Sequence, residues 1–452
     1  MDHSKIINKR FLTPPLFAAA FALLLLTVAA VPAQAANLTS QTIWGTPAHE
    51  SADGVAVAPD GSTYLTGIHV VGFEPSKIFL VKFAPDQTVS WQQTWDGPDP
   101  FFSNTARDVA VAPDGSAVYV TGSSFISPNV AVLLKFNPAD GSLVWDKSWG
   151  GNASPEGVAV GSDGSVYVAG SVRLGFNQQI FITKFDTDGI VLWHRVWNTP
   201  ESSGESQGQD VAIDAAGNIY VAGVTPRPDP NQPGGIIGFD VALLKVDSAG
   251  NLIWQRTVAA GESVDSRGGV AVAADGSVYV AGGRFDERTS DLNALVLKFG
   301  SDGSLLWNRN WGGRSGDDAA GVAVRADGAI FVSGNTNSFG SGSDDAFLLR
   351  LAPNAKVMDA MTWGGPAIDH GDSIAINPGG NVVIGATAEE PPYSFLGAPM
   401  RVSKDRAVLG TPNFPLVSVE SGVTNAGGVV EPIAGTTNDD PGFDAALLVI
   451  AP

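Results

Sequence analysis

Acidic residues recur at one point of a repeated phrase. Asp53, Asp108, Glu156, Asp210, Asp318 and Asp372 stand just ahead of short apolar runs that begin near Val55, Val109, Val158, Val211, Val322 and Ile374. Carboxylates gathered by a repeat are suited to a hard cation such as Ca²⁺, which takes oxygen ligands, and a metal held that way would serve a hydrolase or lyase. The same residues have a plainer use, because Asp commonly accepts backbone N–H groups from its own turn. No ligand spacing separates the two readings. The chain carries no Gly-x-Ser-x-Gly elbow, no His-Glu-x-x-His helix and no phosphate-cradling glycine loop. His49, His69, His194 and His370 are scattered along the repeats, and His49 and His370 are expected near the mouth of a common channel. Nothing in the spacing of Arg107, Arg173 and Arg267 marks them as an anion site.

The elements that position these residues are legible in the repeat itself. Gly157-Val158-Ala159-Val160 followed by Asp163-Gly164-Ser165-Val166-Tyr167-Val168-Ala169-Gly170 returns as Gly269-Val270-Ala271-Val272 followed by Asp275-Gly276-Ser277-Val278-Tyr279-Val280-Ala281-Gly282. A period of about 50 residues signals a repeat architecture. Within one period, Val158–Val160 reads as a short strand A and Val166–Ala169 as strand B. Ile180–Phe185 reads as a strand C buried on both faces, and Val191–Trp197 as strand D. Asp163-Gly164 and Asp188-Gly189 supply the hairpin turns. Runs this short, β-branched and bounded by Gly and Asp, do not make helices of ordinary length. The expected fold is all-β, a β-propeller of four-stranded blades.

The Gly taken to end strand B recurs at Gly67, Gly122, Gly170, Gly223, Gly282, Gly334, Gly385 and Gly435, which predicts eight blades. Seven is the alternative, if residues 372–420 do not form a proper blade. Strand C in the seventh unit is a weak match near Met400–Lys404, and in the eighth it is Ala445–Ile450. The chain stops at Pro452 without a final strand D, whereas Thr39–Gly45 resembles the tail of one. The expectation is a closed ring in which the N-terminal strand completes the last blade and removes the open edges.

All 11 tryptophans fall in strand D, in two columns four residues apart. Either they stack sugars, or they wedge neighbouring blades; repetition around the ring favours wedges. The basic residues that close strand C, such as Lys82 and Lys184, read as solvated or snorkelling side chains. The B-to-C connections differ most between repeats. Residues 224–239, and residues 283–293 with Arg284 and Arg288, are the preferred place for partner contact, since variable loops on a rigid scaffold usually carry specificity.

Composition bounds the setting. Lys5, Lys9 and Arg10, an apolar run over Leu16–Val31 and the small-x-small site Ala33-Gln34-Ala35 read as a bacterial signal peptide, residues 1–35, ahead of a single propeller domain over 36–452. The product is expected in the periplasm or outside the cell. No later segment has the roughly 20 apolar residues a spanning helix needs, so no membrane insertion is expected. There is no cysteine, which removes disulfides, thiolate metal sites and a lipoprotein anchor. The formal charge of -20 becomes -22 without the signal, a balance that repels nucleic acid and keeps an exported monomer soluble.

Val332-Ser333-Gly334-Asn335-Thr336-Asn337-Ser338-Phe339 with Asp344–Leu351, echoed by Ile433–Thr437 with Phe443–Leu448, resembles the bacterial SBBP-repeat β-propeller proteins. That resemblance covers most of residues 40–450 and implies the architecture; the family has no common catalytic residues. Asp140-Gly141-Ser142-Leu143-Val144-Trp145 is also similar to the docking repeats of quinoprotein dehydrogenases, whose adjacent cysteine pair this chain cannot supply. The expected function is a non-catalytic module that binds a protein or glycan on its loop face, with no cofactor required and Ca²⁺ as an option. The alternatives are a metal-assisted hydrolase or lyase using the channel-mouth carboxylates, or a quinoprotein-like enzyme.

Overall fold

The computed structural model describes residues 5–9, 37–45, 48–197, 205–232, 235–259, 263–264, 268–286, 291–389, 400–401 and 443–451. Its strands form seven antiparallel sheets, one per blade, in a closed β-propeller. Blade 1 is His49–Val57, Thr63–Val70, Lys77–Phe83 and Val89–Trp95, strands A to D in chain order. Blade 2 runs from strand A at Asn104–Val111 to strand D at Leu143–Trp149, and blade 3 from Ala153–Val160 to Val191–Trp197. Blade 4 begins at Gln207–Ile213 and includes a long hairpin of Ile219–Pro228 and Ile236–Val246. In blade 5 the described strands paired with the inner edge of Val278–Asp286 are Ser263–Val264 and Val270–Val272. Blade 6 begins at Asp317–Val324 and blade 7 at Asp369–Ile376. Each strand A packs beside the next around the central channel, and that of blade 7 meets that of blade 1. Among the described residues no helix is long and apolar enough to cross a membrane.

The expectation of eight blades is corrected to seven. Strand B of blade 7, Val382–Glu389, is bonded on one side by Asp369–Ile376 and on the other by Phe443–Ala451. With both edges satisfied it has no place for a strand from Met400–Lys404, and the strand assigned to an eighth unit serves as strand C of the seventh. Met400–Arg401 instead pairs with the outer strand of blade 6, Val357–Trp363. Gly435, the marker of the eighth unit, lies outside the described residues. The ring closes as the chain ends suggest: Asn37–Gly45 pairs with Phe443–Ala451 as strand D of blade 7. Lys5–Lys9, within the segment read as a signal, lies outside that strand as a fifth.

The core lies between blades, because the two middle strands of each sheet are apolar on both faces. Phe79, Leu65 and Val81 of blade 1 pack with Trp44, Val383 and Leu447 of blade 7, for example. The first tryptophan column latches each of blades 1 to 5 to the one that follows. Trp91, Trp145, Trp193, Trp254 and Trp307 donate their indole N–H to the carbonyls of Pro138, Thr187, Ser248, Ser301 and Pro353, in the C-to-D turn of the following blade. The strand-C lysines take part in the same latch. Lys82, Lys135 and Lys184 donate to the same carbonyls at 2.9, 2.7 and 3.3 Å, with the ammonium over a tyrosine ring of strand B.

Candidate functional site: the channel funnel

Strand A carries a β-bulge at one position in six blades. The register shifts between Ala52 and Gly54, Ala106 and Asp108, Pro155 and Gly157, Gly208 and Asp210, Ala319 and Gly321, and Gly371 and Ser373. The unpaired residues are therefore Asp53, Arg107, Glu156, Gln209, Ala320 and Asp372, with Gly268 at the matching place in blade 5. A bulge bends its strand and re-aims one side chain. All seven of these residues line one cavity of about 600 Å³ at the end of the channel where the A strands begin.

The repeated glycine of strand B is what allows the bulge. It lies within its strand, opposite the bulge, rather than at the strand's end. A Cβ on Gly67 would sit 1.7 Å from the Ser51 carbonyl oxygen, and one on Gly334 would sit 2.0 Å from that of Asp318. The most conspicuous repeat of the sequence thus serves to turn a residue of the neighbouring strand into the funnel.

Two of the acidic residues hold the wall together. Asp108 accepts from its own Val109 N–H at 2.8 Å and from Val158 N–H of the next blade at 2.9 Å. Asp210 does the same with Val211 and Val270, both at 2.7 Å. The residue one blade on from each is a glycine, Gly157 or Gly269, so the strands approach closely. Burial drives the Asp108 carboxyl well above its ordinary range, with a further push from Asp210. Burial likewise lifts Asp210 to about 6, against the pull of its two N–H donors. Asp372 accepts from the Thr387 hydroxyl at 2.9 Å, which accepts in turn from Ala52 N–H at 3.0 Å and joins blade 7 to blade 1.

Glu156 takes no such role. Burial raises its pKa to about 7, opposed by the Arg107 guanidinium, whose Nε lies 3.3 Å from the carboxylate. Both side chains remain partly open to the funnel, 39% for Arg107 and 30% for Glu156. Beside them, the Gln209 amide nitrogen is sealed from solvent with no hydrogen-bond partner among the described residues. His49 and His370 also line the cavity, as expected of the channel mouth. So does Glu50, fully buried, whose Oε1 meets His69 Nδ1 at 2.7 Å.

The predicted ring is thus only partly a ring. Asp53, Asp108, Glu156, Asp210 and Asp372 line the funnel, although from two different positions of strand A. Asp318 does not; the bulge in blade 6 falls on Ala320, and an Asp318 oxygen lies against Gly283 of blade 5. Arg284 is paired with Asn293 in a regular hairpin and is outside the funnel lining. Arg288 lies outside the described residues. The connection at 224–239 is mostly strand, with Thr225 opposite Asp240 and Pro226 opposite Phe239, and an Arg227–Asp240 ion pair across it. Among the described residues no three His, Asp or Glu side chains are grouped to hold a metal ion. Sequence reasoning missed Arg107 and Gln209 as partners in the site. Alignment on the strand-A valine, rather than on the nearest acidic residue, puts them in register with Asp53 and Glu156.

The sheets define a seven-bladed β-propeller whose channel mouth carries an irregular polar set. No protein-family description matches the chain. It is 30% identical over 172 residues, 32% of its length, to the regulatory protein FlaEY of Caulobacter vibrioides, of which the match spans 18%. Among solved structures it is similar to the periplasmic gluconolactonase PpgL of Pseudomonas aeruginosa, at 15% identity and a TM-score of 0.47, over 75% of this chain and 95% of that one. It is also similar to a puromycin hydrolase, at 17% identity and 0.45, over 75% of this chain and 50% of that one. A protein of unknown function from Bacteroides caccae matches at 14% identity and 0.38, over 65% and 91%. Likenesses this distant concern the fold and carry nothing about activity.

Proposed function

We propose that the protein is an exported, non-catalytic binding module whose ligand sits in the funnel. One observation carries this reading: the bulge position is occupied around the ring by Asp53, Arg107, Glu156, Gln209, Gly268, Ala320 and Asp372. Scaffolding repeats, as the tryptophans and strand-B glycines do. A position that the fold aims into a cavity, and that differs in every blade but two, is where one asymmetric ligand is recognised. Five polar residues on consecutive blades 7, 1, 2, 3 and 4 face a bare arc on blades 5 and 6. The resemblance to SBBP repeats, which share no catalytic residues, supports a module without chemistry of its own. Calorimetric titration with small polar solutes tests the placement. A ligand found this way should lose at least about tenfold in affinity in Arg107→Ala, since charge-assisted hydrogen bonds contribute about 1.5–3 kcal/mol. A ligand bound equally by wild type and Arg107→Ala would move the site elsewhere.

A further inference from the structure

We infer that the end of the ring bearing the funnel docks on an uncharged bilayer surface, through apolar side chains that stand out from blades 1 to 3; this does not rest on the funnel being a binding site. The B-to-C hairpins and D-to-A connections meet at that end. Among them Phe73, Phe101 and Phe176 are 85% or more exposed, and Phe102, Phe125 and Leu174 are exposed as well. Together they bare on the order of 700 Å² of apolar surface. Exposed apolar surface on that scale marks a protein or membrane contact.

The fold holds these side chains out. Asn104 is buried, and its side-chain amide donates to the carbonyls of Asp96 and Phe102, both at 3.0 Å, which fixes the turn carrying Phe101. Backbone hydrogen bonds then run from one connection to the next. Asn104 N–H donates to Ser76 at 2.8 Å, Phe125 N–H to Ser103 at 2.9 Å, Asn152 N–H to Asn129 at 2.7 Å and Arg173 N–H to Asn152 at 3.0 Å. The six residues thus lie on one hydrogen-bonded arc across three blades. The matching hairpin of blade 6 differs: its Phe339 packs on Trp311, with ring centroids 5.2 Å apart.

Charge and shape select the occupant. The arc carries Glu74, Asp96 and Asp99 against Lys77 and Arg173, a net -1 within a chain of -20, and Lys77 pairs with Asp96 at 3.2 Å. A second copy would bring -20 against -20, and an anionic surface would be repelled in the same way. A near-neutral arc suits a zwitterionic lipid face. Phe73 and Phe176 each follow a left-handed glycine, Gly72 at φ +56° and Gly175 at φ +67°, with open space around it. Side chains standing apart in this way form no groove, and a protein partner would need a separate pocket for each. The interface of a bilayer closes around them as a fluid. The protein then lies on the membrane and does not span it.

The test is cosedimentation of the processed chain, residues 36–452, which holds all seven blades and lacks the apolar run over Leu16–Val31. The probes are phosphatidylcholine vesicles and vesicles in which about a third of the lipid is phosphatidylglycerol. The protein should sediment with phosphatidylcholine at least as well as with the anionic mixture, and about 0.5 M NaCl should not release it. Phe73→Ser combined with Phe176→Ser should weaken binding at least about tenfold, the loss expected when buried phenylalanines are removed. Both side chains are exposed, so the double variant should melt with wild type. Should it fail to fold, Phe101→Ser with Phe125→Ser makes the same comparison. Absence of binding to phosphatidylcholine, binding that needs phosphatidylglycerol or is lost in salt, or equal binding by the folded double variant would each overturn the inference. So would a dimer in sedimentation velocity that the substitutions abolish, which would give the arc to a second copy.

Discussion

Glu156 shows how two adjacent positions of strand A put a carboxylate to different uses. Asp108 and Asp210, one residue past the bulge, spend both oxygens on backbone N–H groups, whereas Glu156, at the bulge, has the Arg107 guanidinium and the Ser154 side chain beside it. Its carboxyl is raised by burial from 4.5 to about 7, so the fold favours the protonated form. Stability from this group is complete below pH 4.5 and is lost as the pH climbs to about 7. Glu156→Gln should therefore melt with wild type at pH 4 and about 2–4 °C above it at pH 8, read by calorimetric scans. Equal melting at both pH values would show that the group is not buried as described. Gly67 gives a second test at this scale. Gly67→Ala places a methyl against the Ser51 carbonyl and should cost on the order of 3 kcal/mol in denaturant unfolding.

At the level of strands, the sequence announced more than it explained. Strand order, the Asp-Gly turns and the closing strand were legible because period-2 alternation and turn residues act locally. The β-bulge was not, since it depends on how two strands pair, and its glycine looked like a strand end. That one slip placed Asp318 in the ring and left out Arg107 and Gln209. The blade count failed for a related reason: a glycine phrase near Gly435 marks a resemblance, while a blade needs a free strand edge to join. The tryptophan latch belongs here too. Trp193→Phe keeps the ring packed on Tyr167 but removes the donor to Ser248, and should cost about 1 kcal/mol. Trp44→Ala removes a fully buried indole that packs on Phe79 and bonds Gln92, and should cost about 3–5 kcal/mol.

For the whole molecule, closure and charge decide behaviour. Deleting residues 37–45 strips strand D from blade 7 and leaves the paired edge of Phe443–Ala451 bare. Exposed edges recruit other strands, so light scattering should show association in place of a discrete species. The pH optimum of stability should lie on the acid side of neutrality. Asp108, Glu156 and Asp210 are raised by burial and lose stability as the pH rises towards neutral. Turn aspartates such as Asp60, Asp140 and Asp275 are lowered by N–H groups of the serine two residues on, and lose stability only as the pH falls below 3.8. A net charge of -20 adds self-repulsion at high pH. The melting temperature should peak near about pH 4–5.

The most direct measurement is a crystal structure of the protein soaked with the tightest-binding small solute. The ligand is predicted in the funnel, within hydrogen-bonding reach of Arg107 and of at least one of Asp53, Glu156 and Asp372. Density for it on the blade 4 or blade 5 hairpins, with only solvent beside Arg107, would contradict the account.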